Sequence, residues 1–146
     1  MSETDPFPRD PTVLIPFMRE HQRDYLPGLL GIELLEMEPG LCLMRLQLEQ
    51  KHLASNGYLH AGTVVTVADS AAGYGTLASR PSGSTGFTTI ELKCNHIGSV
   101  REGAILARAT MVHGGRTTQV WDAVVTVEDS RKTLALFRNT QLLLYP

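Results

Sequence analysis

Residues 61–79 read Ala-Gly-Thr-Val-Val-Thr-Val-Ala-Asp-Ser-Ala-Ala-Gly-Tyr-Gly-Thr-Leu-Ala-Ser. Taken alone, Thr63-Val64-Val65-Thr66-Val67 suits a strand, because β-branched side chains fit a pleated surface. The length of the run and its later alanines and glycines favour a helix with small side chains on nearly every side. Such a helix can be wrapped closely by other structure. The segment also carries one carboxylate, Asp69, in an otherwise apolar run, and His60 stands just before it. An ionised carboxylate in apolar surroundings is costly unless it is paired or holds its proton. Asp69 therefore either caps a separate helix starting at Ser70 or has a chemical task.

On both sides of this segment the pattern changes to strands. Apolar-rich runs at 31–38 and 41–50 are divided by Pro39-Gly40, a turn signal. Residues 87–97 alternate, with Ile90, Leu92 and Cys94 on one face and Thr89, Glu91, Lys93 and Asn95 on the other. Three more strands are expected at 103–113, 116–128 and 132–144, joined by turns at Gly114-Gly115 and Glu128-Asp129-Ser130-Arg131. This predicts an antiparallel meander after a single interruption, with one helix buried against a curved sheet: an α+β domain. Upstream, residues 1–11 hold three prolines among charges and are expected as a loose arm. A short helix over 12–24 follows, with Pro16 in its first turn. The organisation expected is an N-terminal arm and short helix over 1–25 and one domain over 26–146.

The chain has 146 residues, 42% hydrophobic and 19% charged, with a formal charge of −2. That suits one domain with a true core and gives no broad basic surface for nucleic acid. No apolar run approaches the roughly 20 residues of a membrane span. The start, Met-Ser-Glu-Thr-Asp-Pro, is unlike a secretory signal, which leaves the cytoplasm as the expected compartment. Cys42 and Cys94 lack CxxC spacing and are expected as free thiols. His52, His96 and His113 have no partners at metal-ligand spacing, so no metal is expected.

His60 and Gly62 sit where the chain enters the helix, and exposed N–H groups at a helix start favour an anion or a polarised carbonyl oxygen. Asp69 lies nine residues after His60, two and a half turns on. His60 is equally suited to capping a turn, and Arg116 to an exposed hairpin.

Four segments carry a resemblance to a known family. They are Asn-Gly-Tyr-Leu-His-Ala-Gly (56–62), Ala-Asp-Ser-Ala-Ala-Gly-Tyr-Gly (68–75), Phe-Thr-Thr-Ile-Glu-Leu-Lys-Cys-Asn (87–95) and Gly-Arg-Thr-Thr-Gln-Val-Trp-Asp (115–122). From about Leu26 onward the chain resembles the hotdog-fold acyl-CoA thioesterases of the phenylacetic-acid-degradation (PaaI-like) type. The resemblance implies that 61–79 is one long helix inside a curved antiparallel sheet. It implies that Asp69 attacks the thioester or activates water, and that the N–H of Gly62 or Ala61 polarises the carbonyl. His60 would shape that loop, and Thr89 would orient water. Gly115, Arg116 and Thr117 would lie along CoA. Tyr74 is suited to the acyl pocket or to the core, as is Trp121.

Two departures stand out. Many relatives read Asn-x-x-Gly-x-x-His-Gly-Gly, whereas here Ala54 takes the asparagine position, Asn56 is only four residues before the histidine, and Ala61 replaces the first glycine. The resemblance implies an acyl-CoA substrate, no cofactor beyond the CoA of the substrate, no nucleic-acid or membrane partner, and a homodimer at minimum, with a homotetramer built as a dimer of dimers. Two other readings stand beside hydrolysis: a hotdog acyl-thioester dehydratase or hydratase, and a non-catalytic acyl-CoA-binding protein.

Overall fold

The computed structural model describes residues 5–146. Its elements are α1 (Pro11–His21), α2 (Leu26–Leu30), β1 (Glu33–Glu38), β2 (Leu41–Gln47), α3 (Ala61–Ala78), β3 (Gly86–His96), β4 (Ala104–Gly114), β5 (Thr118–Val127) and β6 (Thr133–Leu144). The six strands form one antiparallel sheet, curved around α3. This is the α+β hotdog architecture expected from the resemblance.

The ambiguous stretch is helical throughout, 18 residues long. Residues 71–77 of α3 are buried without interruption. Within the threonine–valine run Thr63, Val64 and Val67 are buried as well, so packing overrides its strand preference. Close approach is possible because the strands meet the helix with small side chains. Ala107 and Ala109 on β4, Ala123 on β5 and Ala135 on β6 are each at most 1% exposed. Gly75 lies directly on the Trp121 ring. A Cβ added there would fall 2.5 Å from Trp121 Cη2.

Strand order corrects the expected meander. The sheet runs β1-β2-β4-β5-β6-β3. β1 and β2 form one hairpin, and β4, β5 and β6 follow one another as hairpins; β3 crosses to the far edge and pairs with β6. The long helix makes this possible, since it carries the chain from β2 across the sheet to the opposite edge. The turn at Pro39-Gly40 forms as expected, with Gly40 at φ 84°, a left-handed conformation that favours glycine.

Face assignment on β3 is also corrected. A bulge lies between Thr89 and Glu91, leaving Ile90 as the extra residue. Thr89 pairs with Gln141, Leu92 with Asn139 and Cys94 with Phe137. Because Phe137, Asn139 and Gln141 all face inward and are buried, Thr89 shares the helix side with Leu92 and Cys94. Glu91 and Lys93 point the other way.

The N-terminal segment is tied down from Asp5 on. Arg80, with a side chain 2% exposed, pairs with Asp5 at 2.8 Å and donates to the carbonyls of Phe7 and Leu77. Asp10 caps α1 by accepting from the Thr12 N–H at 2.9 Å, and Pro11 fills the first helical position. Pro16 therefore falls in the second turn, not the first. Leu14 and Met18 from α1 enter the main core. Cys42 is buried and Cys94 partly buried, both as free thiols. Burial pushes the Cys42 thiol up to about 12, which keeps it protonated and inert. No helix among the described residues is long and apolar enough to cross a membrane.

Candidate active site

The entrance to α3 is held by a short stapled loop. His52 is fully buried; its Nδ1 accepts from the Glu49 N–H at 2.8 Å and its Nε2 meets the Leu30 carbonyl at 2.7 Å. Its own carbonyl accepts from the His60 N–H and from Thr63 Oγ1. This fixes where the helix begins. Asn56, exposed at the loop's tip, folds its side-chain oxygen back onto the Tyr58 N–H at 3.1 Å. It is a turn-former here.

His60 is the N-cap of α3, with extended backbone and Nδ1 accepting from the Gly62 N–H at 2.8 Å. With Nδ1 accepting, the neutral ring carries its proton on Nε2. A Cβ on residue 62 would sit 2.9 Å from that Nδ1, so glycine is needed for the cap to close. Gly62's N–H is thereby occupied. The Ala61 N–H, also at the positive end of the helix dipole, has no hydrogen-bond partner among the described residues. His60→Ala should cost about 1 kcal/mol, the usual worth of a side-chain cap. That is a fall of roughly 2–4 °C in Tm for a chain of this size, readable by calorimetry. An unchanged Tm would show that the cap contributes nothing.

Asp69 stands in the middle of α3, not at the cap of a new helix. It is half-buried, and burial raises its carboxyl above the ordinary value of 3.8, while hydrogen bonds from Asn139 and Thr89 pull it back down. Asn139 Nδ2 donates to Asp69 Oδ1 at 3.0 Å. Thr89 Oγ1 is also bonded to Gln141 Oε1 at 2.8 Å. The β3 bulge is what aims Thr89 at this carboxylate. Asn139 and Gln141 were not among the sequence candidates. A signal was present: both share the inward parity of Phe137 along β6.

From Ala61 to Asp69 is eight residues, or about 12 Å of helix rise. One chain's helix start and its own carboxylate therefore cannot converge on one carbonyl group.

The remaining candidates lie on α3, on β5 and in the β4–β5 turn. Tyr74 is buried, its hydroxyl donating to Gln22 Oε1 at 2.9 Å. Its ring lines an apolar cavity of about 240 Å³ with Phe7, Met18, Tyr25, Leu77 and Phe87. Trp121 belongs to the core, its indole N–H bonded to Gln119 Oε1 at 2.9 Å. Gly115, Arg116 and Thr117 form the β4–β5 turn, closed by the Gly115 N–H on the Thr118 carbonyl. Arg116 is exposed, with its guanidinium 5.7 Å from the centre of the Tyr145 ring. This turn adjoins Gln119, which pairs with Gln141, which pairs with Thr89. Among the described residues no three His, Cys, Asp or Glu side chains gather as a metal site would require.

Comparison with known proteins bears on this geometry. The model of the thioesterase superfamily matches residues 56–134, more than half of the chain and every element from the α3 entrance to β5. A 1,4-dihydroxy-2-naphthoyl-CoA hydrolase from Listeria monocytogenes is 33% identical over 111 residues, 76% of this chain and 89% of its own length. The acyl-coenzyme A thioesterase PaaI of Escherichia coli is 27% identical, with 82% of each chain covered. A crystal structure of a mutant of thioesterase PA1618 from Pseudomonas aeruginosa superposes with a TM-score of 0.83 at 25% identity, covering 89% of this chain and 93% of that one.

Proposed function

Because this chain belongs to the thioesterase superfamily and is a thioester hydrolase, we propose that it hydrolyses an acyl-CoA to the carboxylic acid and free CoA. The observation that carries this reading is a half-buried carboxylate, Asp69, on a helix packed largely by apolar side chains, with the Asn139 amide donating to it and the Thr89 side chain beside it. A polar group so placed is destabilising without a use. Relatives named for CoA thioesters supply the substrate class.

The carbonyl oxygen is taken by the Ala61 N–H at the positive end of α3, assisted by the helix dipole. Gly62 acts one step removed, by allowing the His60 cap that leaves Ala61 as the free donor. The roughly 12 Å of helix between Ala61 and Asp69 supports a carboxylate supplied by a second copy, with a homodimer as the working unit and a dimer of dimers as the full assembly. Asp69 either attacks the carbonyl carbon itself, breaking the C–S bond to release CoA and leaving an acyl anhydride that water then hydrolyses, or removes a proton from water that attacks it. In the second route an O–C bond forms, the C–S bond breaks, and the proton passes from the carboxyl to the departing thiolate. Thr89 orients the attacking group. The turn at Gly115, Arg116 and Thr117 lies along CoA, with Arg116 available for its phosphates. Tyr74 and its cavity receive the acyl group. Asn56 shapes the turn before His60. No cofactor is needed beyond the CoA of the substrate, no nucleic acid or membrane takes part, and the setting is the cytoplasm.

Thiol release from a panel of aromatic, short-chain and medium-chain acyl-CoAs tests this reading. Turnover on one group of substrates is expected. Tight binding of acyl-CoA with no thiol released from any of them would overturn it in favour of a binding protein.

A further inference from the structure

Two buried polar atoms have no hydrogen-bond partner among the described residues: Asn139 Oδ1 and Gln141 Nε2. Their side chains are 1% and 0% exposed. Leaving such atoms unpaired is destabilising, and apolar residues of the same shape would serve the core better. Both side chains nevertheless stand on one face of β6, two residues apart, and the engaged half of each amide leads to Asp69. Asn139 Nδ2 reaches Asp69 Oδ1 directly at 3.0 Å. Gln141 Oε1 accepts from Thr89 at 2.8 Å, and the Thr89 side chain lies beside the same carboxylate. The neighbouring strand locks the row from behind, where Gln119 bridges Trp121 Nε1 and the Ser79 carbonyl at 2.9 and 3.0 Å.

We propose that Asn139 is a positioning residue for the Asp69 carboxylate, with Gln141 holding Thr89 against it from the next rung of the sheet. The unpaired atoms are what the core tolerates so that the opposite ends of both amides can serve this carboxylate. The inference rests on the reading that Asp69 is the reacting group.

Few other groups compete for control of Asp69. On the helix side of β3 the titratable residues are Cys94 and His96; on β2 it is Cys42. On the helix side of β5 and β6 the residues about Asp69 include Gln119, Trp121, Ala123, Phe137, Asn139 and Gln141, none of them an acid or a base. Glu91, Lys93, Asp122 and Arg138 lie on the opposite face, where Arg138 and Asp122 pair with each other. The shift of Asp69 arises from burial, Asn139 and Thr89, with no charged neighbour contributing. Removing the Asn139 donor removes one of the two interactions that favour the ionised form, so the carboxyl must hold its proton to higher pH.

The test is Asn139→Leu, which keeps the shape and deletes both the donor and the unpaired oxygen, beside Asn139→Ser, which restores a shorter donor. In the leucine variant kcat should fall about tenfold to a hundredfold, the worth of one hydrogen bond to a charged group, with KM little changed. The acid limb of kcat/KM should move to higher pH, and the serine variant should lie between leucine and wild type. A second readout needs no turnover: the carbon-13 carboxyl resonance of Asp69, followed against pH, should titrate higher in Asn139→Leu. An unmoved titration overturns the inference whatever the rate does, because a merely structural role would lower Tm without shifting it. If the leucine variant does not fold, the same titration in Asn139→Ser decides. A shifted titration in a protein that releases no thiol from any acyl-CoA would support the positioning role and sink the hydrolase reading instead.

Discussion

Asp69→Asn should lower kcat by about a thousandfold or more, equivalent to about 4 kcal/mol of transition-state stabilisation, and the protein should become more stable at neutral pH. Both effects come from one environment. In the folded chain burial holds the Asp69 carboxyl above its ordinary 3.8, so the folded state retains a proton that the unfolded state has released. Below 3.8 both states are protonated and Asp69 carries no penalty. As pH rises through the folded-state value the penalty grows, and it is complete above it. An asparagine never ionises, and its side-chain oxygen still accepts from Asn139, so the penalty disappears while the local bonding stays. The Tm difference between variant and wild type should accordingly be largest near neutral pH and close at low pH. Activity lost together with stability would mean that the substitution merely damages the fold, and near-native turnover would remove Asp69 from the mechanism.

Gly75→Leu should be among the most damaging substitutions in the chain. A single Cβ at that position already meets Trp121 at 2.5 Å and 2.6 Å, and Trp121 is fully buried with its N–H tied to Gln119. Neither partner can withdraw. Overpacking of this kind costs about 1–3 kcal/mol or more, enough to remove much of a small domain's stability. Trp121→Ala should cost about 3–5 kcal/mol by opening a cavity under the helix and leaving Gln119 Oε1 without its donor. Combined, the two should cost less than their sum by more than about 1 kcal/mol, because the leucine enters the space the indole vacates. Denaturant midpoints of the four proteins measure this. Additive losses would show that Gly75 and Trp121 do not share that space.

Particular residues show where sequence reading reaches and where it stops. Pro39-Gly40 announces its turn because a left-handed glycine is needed there and little else fits. Asp10-Pro11 announces a helix start, yet the helix expected over 12–24 had Pro16 in its first turn, and placing the cap at Asp10 moves it to the second. The alternation of 87–97 is plain in the letters, but Thr89 was assigned to the wrong face because a bulge at Ile90 leaves no trace in alternation. His60 was legible as a residue at a helix entrance. That its ring occupies the Gly62 N–H, leaving Ala61 free, depends on a side-chain position that the letters do not specify.

The sequence by itself determined the strands and their order along the chain, the turn at Gly40, the long helix after His60 and the carboxylate within it, since these depend on neighbours a few residues apart, though it gave no sign of α2 over Leu26–Leu30. Only the tertiary structure decided that β3 crosses to pair with β6, that Thr89 faces inward, and that Asn139 donates to Asp69 while Gln141 accepts from Thr89. The physical reason is one of range. Propensity, capping and periodicity act over about one to four residues, whereas strand register and the partners of a buried carboxylate are set by contacts some 70 residues apart, such as Asp69 with Asn139, that exist only once the helix has been wrapped.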